Sequence, residues 1–463
     1  MLRTRNVQPS LWESVLPEIC LRLPVELQRV DAWLDDDRFF AAFRPFFDPR
    51  IGRPSVPMET YLRLMFLKHR YRLGYETLCA EVADSISWRR FCRIDIDGRV
   101  PHPTTLMKIT TRCGDQAVAQ LNEVLLAKAT EAKLVRTGKV RADTTVVSAN
   151  VEYPTDSGLL AHAVIKIARL VHRVKSAGGA TRTRFRDRSR AARARVHAIA
   201  AKVRLRGAAA RDQAQATVLR VTGELAGLAA QTSADAAAVL SNGRRTLRRR
   251  GDHVHGRLRR ALAELATTIA RTGRVVAQTR IRVAGGKPDS ATRVVSLHDP
   301  DARPIVKGRL DKPVEFGYTA QVVDNDDGIV LDYTLVEGNP PDAPQLAPAI
   351  ERITRRAGKP PRAVTADRGY GEARVEQDLH ELGVTTVAIP RKGHPGPARR
   401  ETEHRRRFRT LVKWRTGSEG RISYLKHRYG WDRSRVNGRQ HTATWCGHGV
   451  LAHNLVKITT LAA

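Results

Sequence analysis

This sequence is short of acidic residues, and it lacks C-x-x-C cysteine pairs and long apolar runs. Its five cysteines contain no C-x-x-C pair, which argues against a disulfide framework and a zinc ribbon and fits a reducing compartment. No stretch approaches the roughly 18 apolar residues that a membrane span requires, and no apolar signal core opens the chain. We therefore expect a cytoplasmic protein without a membrane segment.

The shortage of acids leaves a large excess of positive charge. The 463 residues carry 81 Lys and Arg against 47 Asp and Glu, a formal net charge of +34. A charge of this size repels itself unless a polyanion screens it, and counterion release from a nucleic-acid backbone is the usual compensation. A basic proteome would explain the same excess, but nucleic acid is the favoured partner and would make the protein nucleoid-associated.

The N-terminal part of the chain, residues 1–130, is expected to be a helical, DNA-binding domain. The segments Met58–Arg70 and Tyr75–Val82 have helical spacing and are separated by a turn that ends at Gly74. This pattern suits a helix-turn-helix. It suits a plain helical hairpin equally well.

A long helical insertion is predicted over residues 160–285. Leu160, Val164, Ile167, Val171 and Val174 step by four and three residues, which is the seam spacing of a coiled coil. Similar seams begin at Val218 and Leu258, so antiparallel helices that double back are expected. The other faces carry arginine runs, Arg182–Arg190 and Arg248–Arg250, and because these charges share one sign, DNA contact is favoured over a merely solvated face.

The remaining residues, 131–159 and 286–463, are predicted to form alternating strands and helices. β-branched composition predicts strands at 139–151, 316–323, 329–336, 363–366 and 385–389, with a turn-rich stretch joining the second and third as a hairpin. Helices are predicted near 345–356, 372–382, 418–428 and 449–460, and a basic loop is predicted over Arg391–Arg409. Set apart from the insertion, this is the element order of a ribonuclease-H-like α/β fold.

Acidic residues lie within one of these predicted strands and at the end of another. Asp143 is the only acid of its strand and precedes uncharged β-branched residues, where a buried carboxylate needs a metal or a cationic partner unless the residue faces solvent. Asp367 stands where an apolar strand gives way to Gly369, although an Asp there could simply cap a helix. Three such acids, one of them on a later helix, suffice to hold two cations roughly 4 Å apart for phosphodiester chemistry.

The segment that contains Glu419 resembles the signature motif of a known protein family. Its spacing R-x3-E-x6-K, formed by Arg415, Glu419 and Lys426, resembles the Y-R-E-K signature of bacterial insertion-sequence transposases of the DDE type, with Val412 in place of the tyrosine. The strand around Asp143 and the segment Ala366–Tyr370 are similar to that family's first and second acid motifs. The resemblance implies that Asp143, Asp367 and Glu419 are the catalytic, metal-holding residues. It also implies DNA contacts for Arg415, Lys426, Arg368 and Tyr370.

The function expected from the resemblance is DNA transposition with two Mg²⁺ or Mn²⁺ ions. The chain would cut the ends of its element at terminal inverted repeats and join them to target double-stranded DNA, as a homodimer on DNA. Two alternatives remain open: a ribonuclease-H-like nuclease or resolvase, and a non-enzymatic DNA-binding protein derived from a transposase.

Overall fold

The computed structural model describes residues 1–6, 15–203, 208–250, 256–307 and 313–463; the side chains of 203, 208–211 and 250 are outside the description. The chain divides into two compact units. The first unit contains Met1–Ala149, Tyr318–Val336 and Pro340–Ala463, and the second contains Asn150–Gly317 and Glu337–Asn339. In the described residues, no helix combines the length and the apolar character that crossing a membrane requires.

Helices make up most of the first unit before residue 139. They are α1 (Glu18–Leu21), α2 (Val25–Leu34), α3 (Arg38–Ala41), α4 (Met58–Arg70), α5 (Tyr75–Asp84), α6 (Ile86–Phe91) and α7 (Pro103–Glu131). The two helices expected on either side of Gly74 are present as α4 and α5. Every residue of α4 from Met58 to His69 is buried, so α4 is a core helix.

The strands are β1 (Lys139–Ser148), β2 (Arg303–Val306), β3 (Val314–Asn325), β4 (Val330–Glu337), β5 (Ala363–Ala366) and β6 (Thr386–Ala388). Their order is β2-β3-β1-β5-β6, and β4 also pairs with β3. β1 and β5 are parallel, as are β5 and β6. The predicted strands are all present in this mixed α/β architecture, whereas β2, which pairs antiparallel with the first four residues of β3, was not anticipated.

The second unit contains α8 (Asp156–Ser176), α9 (Ser189–Val203), α10 (Ala208–Arg250) and α11 (Gly256–Val283). α8, α10 and α11 pack against one another, and α9 packs on α8 and α10. The seam residues Leu160, Val164, Ile167, Val171 and Val174 are all buried. They contribute to two successive apolar clusters, so the predicted coiled-coil spacing corresponds to the core of a helical body.

The helices that follow β4 in the chain belong to the first unit. They are α12 (Ala343–Ala357), α13 (Ala373–Glu381), α14 (Pro397–His404), α15 (Arg406–Arg415), α16 (Gly417–Tyr429) and α17 (Arg439–Leu461). α17 packs against α7, α4 and α2, which joins the C-terminal helix to the N-terminal ones in a single core.

The basic stretch Arg391–Arg409 is not the loop that we predicted, because it contains α14 and the start of α15. Arg and Glu are good helix formers, and their charges compensate locally. Arg399 Nε lies 2.8 Å from Glu403 Oε1 one turn away. Phe408 and Leu411 of α15 are buried in a cluster with Ala363 and Ala388 of the neighbouring strands, so charge density alone was a poor guide to a loop.

Candidate active site

Asp143 and Asp367 follow equivalent positions on two neighbouring strands. β1 and β5 run parallel, with Ala142 opposite Ala366, and each Asp is the next residue of its strand or strand end. Side chains at matching positions of parallel strands lie side by side. The end of β5 therefore brings together two acids that are 224 residues apart in the sequence.

Asp143 is an acid in a largely apolar strand, and the residue is 8% exposed. Its Oδ1 accepts a hydrogen bond from the Thr144 N–H at 2.8 Å, and its Oδ2 lies 3.2 Å from Arg415 Nη1. Burial raises the pKa of Asp143 to about 6, with smaller upward contributions from the Asp367 and Glu419 carboxylates, while the Thr144 N–H and Arg415 oppose the rise. The expected cationic partner is thus present, and it is an arginine.

Asp367 begins the short 3₁₀ turn Arg368–Tyr370 directly after β5. Its Oδ1 accepts the Gly369 N–H at 2.8 Å, so the capping role that competed with a catalytic role is real. A cap uses one carboxylate oxygen for one N–H. Capping orients this carboxylate beside Asp143 and is compatible with a second role.

Glu419 lies in the first turn of α16, and its side chain is 70% exposed. Arg415, one turn earlier, connects it to the sheet: Nη2 lies 3.6 Å from Glu419 Oε1 while Nη1 contacts Asp143. Within the described residues, no three His, Cys, Asp or Glu side chains are grouped closely enough to hold a metal ion. The structure therefore brings Asp143 and Asp367 to neighbouring positions on β1 and at the end of β5, and Arg415 links Glu419 to Asp143.

A buried ion pair fixes the corner between α15 and α16. Arg141 on β1 donates to both carboxylate oxygens of Asp324 on β3, at 2.9 and 2.8 Å, and to the Trp414 carbonyl at 2.9 Å. Ser418 Oγ and Arg421 Nε approach the same carboxylate at 3.4 Å. Sequence reasoning missed this network, although an Arg and an Asp inside apolar strands were a usable signal.

Asp342 is a further acid near the site that sequence reasoning did not assign. Thr144 Oγ1 donates to Asp342 Oδ2 at 3.4 Å. A Cβ atom added to Gly369 would lie 2.9 Å from Asp367 Oδ1 and 3.3 Å from Asp342 Oδ2. Gly369 thus leaves room for two carboxylates to approach the same backbone.

The predicted DNA-contacting residues differ in their surroundings. Arg368 is exposed, but its guanidinium donates to the carbonyls of Arg391, at 3.0 Å, and Gly393. Lys426 is half-buried on α16, seven residues or about 10 Å along the helix from Glu419.

Tyr370 is a correction to the sequence prediction. Its side chain is fully buried, and its hydroxyl accepts a hydrogen bond from Gln321 Nε2 at 3.1 Å. The resemblance implied a DNA contact for this residue, but the turn packs its ring into the core. DNA cannot reach Tyr370 in this arrangement.

Comparison with known protein families identifies this chain as a transposase. Residues 21–112 match the family model "Transposase domain (DUF772)", and residues 294–455 match "Transposase DDE domain". The chain belongs to the DDE transposases of insertion sequences.

One curated relative adds a narrower comparison. The chain is 30% identical, over 150 residues, to "Uncharacterized protein ORF8 in nfe locus" of Rhizobium meliloti, covering 31% of this chain and 70% of that protein. No solved structure matches the chain.

Proposed function

We propose that this transposase cuts DNA at the ends of its own element and joins those ends to target DNA, with Asp143, Asp367 and Glu419 as its catalytic acids. The observation that carries the proposal is that Asp143 and Asp367 directly follow the paired residues Ala142 and Ala366 of two parallel strands, with Asp143 buried. Two adjacent carboxylates in a poorly hydrated position repel each other and favour a shared cation.

The catalytic part of the chain is proposed to have a ribonuclease-H-like fold. With β2 set aside, the strand order is β4-β3-β1-β5-β6. In that fold the first acid is on the opening strand, the second is at the end of the fourth strand and the third is on a later helix. β1, the end of β5 and α16 match these places.

The donor set fits magnesium or manganese. Carboxylate oxygens are the hard ligands that Mg²⁺ prefers, and few are needed because the ion keeps several waters. Arg415 occupies the place of a cation between Asp143 and Glu419, so these acids already attract positive charge. When bound, two such ions supply Lewis-acid stabilisation of the attacking and leaving oxygens of a phosphodiester.

The chain's own residues have separate tasks in this proposal. Asp143 and Asp367 provide a fixed pair of carboxylates at the sheet. Glu419 approaches them from α16 once Arg415 no longer contacts it. Arg415 at the end of α15 and Lys426 on α16 then serve as phosphate contacts, because guanidinium and ammonium groups bind phosphate oxygens. Water attacks the phosphorus at the element end and displaces the 3′-oxygen of that end. The freed 3′-hydroxyl then attacks a phosphodiester of the target strand and displaces its 3′-oxygen.

The proposed partner is double-stranded DNA, as terminal inverted repeats and as target. Bringing two ends together calls for at least a homodimer on DNA. Recognition of the ends is assigned to the N-terminal helices.

The test uses the full chain, a labelled duplex carrying one element end, a target plasmid and Mg²⁺. Asp143→Asn, Asp367→Asn and Glu419→Gln should each lose cleavage at least a thousandfold, or about 4 kcal/mol of barrier, while duplex binding without divalent ions is retained. Glu401→Gln is the matched control, because Glu401 is an exposed helical acid 3.7 Å from an Arg four residues away.

Cleavage that persists in any of the three variants would remove that residue from the proposal. Cleaved ends without joined products would favour a nuclease or resolvase. Binding with neither product in the wild type would favour a non-enzymatic DNA-binding protein.

A further inference from the structure

Exposed arginines accumulate at one end of the helical body in the second unit, where α10 ends and α11 begins. Six of them form what we call the arginine end: Arg244, Arg245, Arg248, Arg249, Arg257 and Arg260, all exposed. Asp252 is the only acid between Ala236 and Ala263. Arg250 belongs to the same predicted run, but its side chain lies outside the described residues.

The loop between α8 and α9 reaches the same end of the body. Asn242 Nδ2 on α10 donates to Thr183 Oγ1 at 3.0 Å. Phe185 and Leu247 both pack against the apolar cluster that contains Leu258. This loop adds three more exposed arginines to the surroundings, at positions 182, 184 and 186.

The arginine end lacks the ion pairs that several arginines elsewhere in the second unit make. Arg173 contacts Glu264 at 2.8 Å and Arg188 contacts Asp235 at 2.6 Å. Arg244, Arg245, Arg248, Arg249 and Arg257 have no ion pair among the described residues of the chain. Like charges held this close repel one another, so the free protein gains from a polyanion at this end.

We infer that the arginine end binds the phosphate backbone of duplex DNA. Guanidinium groups match phosphate oxygens with paired hydrogen bonds, and the spacing i, i+1, i+4, i+5 on α10 places four of them along one side of a helix. Single strands are usually held by exposed aromatic rings on which bases stack. The aromatic residue of this region, Phe185, packs against the core instead, which favours a duplex.

The inference rests on the proposed function only in taking DNA as the ligand. The arginine end is distant in sequence from the three acids, and it contacts the DNA backbone without recognising bases. The inference predicts a salt-dependent contribution to binding that is independent of sequence.

The experiment measures binding of the full chain to a 30-bp mixed-sequence DNA duplex, without divalent ions, over a series of salt concentrations. The variant is Arg244→Ala/Arg248→Ala/Arg249→Ala. The matched control is Arg169→Ala/Arg274→Ala/Arg280→Ala, which removes the same charge from exposed arginines on α8 and α11 that have no ion pair among the described residues. A third variant replaces Arg244, Arg248 and Arg249 by Lys.

We expect the first variant to bind about tenfold more weakly near 0.1 M salt and to lower the slope of log K against log salt by about 2 to 3, close to 0.9 for each lost phosphate contact. The control should change both quantities much less, and the Lys variant should keep most of the slope. Helical circular dichroism checks that each variant is folded.

Equal losses in the first variant and the control would overturn the inference, since they would reflect net charge alone. Wild-type affinity in the first variant would overturn it too, as would tighter binding of a 30-bp RNA duplex than of the DNA. Because no cleavage is measured, these outcomes are independent of the test of the three acids.

Discussion

Arg415 lies between Asp143 and Glu419, with one guanidinium nitrogen 3.2 Å from the first carboxylate and the other 3.6 Å from the second. The same arginine that the signature spacing identified is therefore the present link between the sheet and α16. Its position makes it a competitor for any cation that these acids bind.

Replacing Arg415 by Gln should strengthen the binding of Mn²⁺ in the absence of DNA. The competing guanidinium is removed. Its contact with Glu419, whose side chain is 70% exposed, is worth about 0.2–1 kcal/mol, or roughly 1.5- to 5-fold in affinity. Calorimetric titration of wild type and variant with Mn²⁺ measures the change. Weaker binding in the variant would mean that Arg415 supports the site instead of competing for it.

Asp143→Asn should make the folded protein more stable at high pH. The pKa of Asp143 is raised from 3.8 to about 6, so the folded state holds its proton more tightly than the unfolded state does. Stability is therefore lost as pH rises through this window. The variant escapes that loss and should gain about 1–3 kcal/mol at pH 8.

Urea unfolding from pH 4 to pH 8 measures this effect. The difference between the variant and the wild type should shrink toward the acidic end, where Asp143 is protonated in the folded state and increasingly protonated in the unfolded state. Glu401→Gln, at an exposed helical acid, should show no such trend. A pH-independent difference in Asp143→Asn would contradict the prediction.

Asp324→Asn should destabilise the protein by about 3–5 kcal/mol, because it leaves the buried Arg141 without its counter-charge. Both side chains of the pair are nearly inaccessible, at 7% and 1% exposure. The double variant Arg141→Met/Asp324→Leu should cost less than the single one, since it removes both charges. Denaturant unfolding of the two variants compares them, and a double variant worse than the single one would argue against an electrostatic cause.

Gly369→Ala should lower cleavage at least tenfold with a smaller effect on stability. The added Cβ would meet the Asp367 and Asp342 carboxylate oxygens at 2.9 and 3.3 Å, so Asp367 must move from beside Asp143. A displacement of this size in a reacting constellation is costly to rate. Gly420→Ala, next to Glu419, is the control, because its Cβ meets no described atom within 4 Å.

Tyr370→Phe should leave DNA affinity unchanged. The ring is buried, and loss of the hydroxyl removes its hydrogen bond from Gln321, so about 1 kcal/mol of stability is expected to be lost. Thermal unfolding and duplex binding measure the two quantities. A large loss of DNA affinity in a stable variant would restore Tyr370 as a DNA contact.

The sequence predicted strands and helices correctly where the apolar pattern of a segment alone decides which of its residues are buried. The β-branched run at Asp143 and the short apolar run before Asp367 are β1 and β5, and the four-and-three spacing that starts at Leu160 is buried along α8. Such patterns fix which residues leave water, whichever partner covers them. The role of the three acids remains a prediction.

Prediction failed where a residue's surroundings come from distant segments. The stretch Arg391–Arg409 contains α14 and the start of α15 because its acids compensate its arginines and α15 packs on the strands. β2 is too short to stand out and exists by pairing with β3. Tyr370 is buried by the turn that Asp367 caps.

The amino-acid sequence by itself determined the place of Asp143 on a strand, of Asp367 at the end of a strand and of Glu419 on a helix. It also determined the helical insertion and the transposase family, because all of these depend on local periodicity and on motif spacing. Only the tertiary structure decided that Ala142 faces Ala366, that Arg415 stands between two acids, and that Arg141 and Asp324 neutralise each other inside the core. Register and charge pairing are settled by which distant segments exclude water together, and no local pattern encodes that choice.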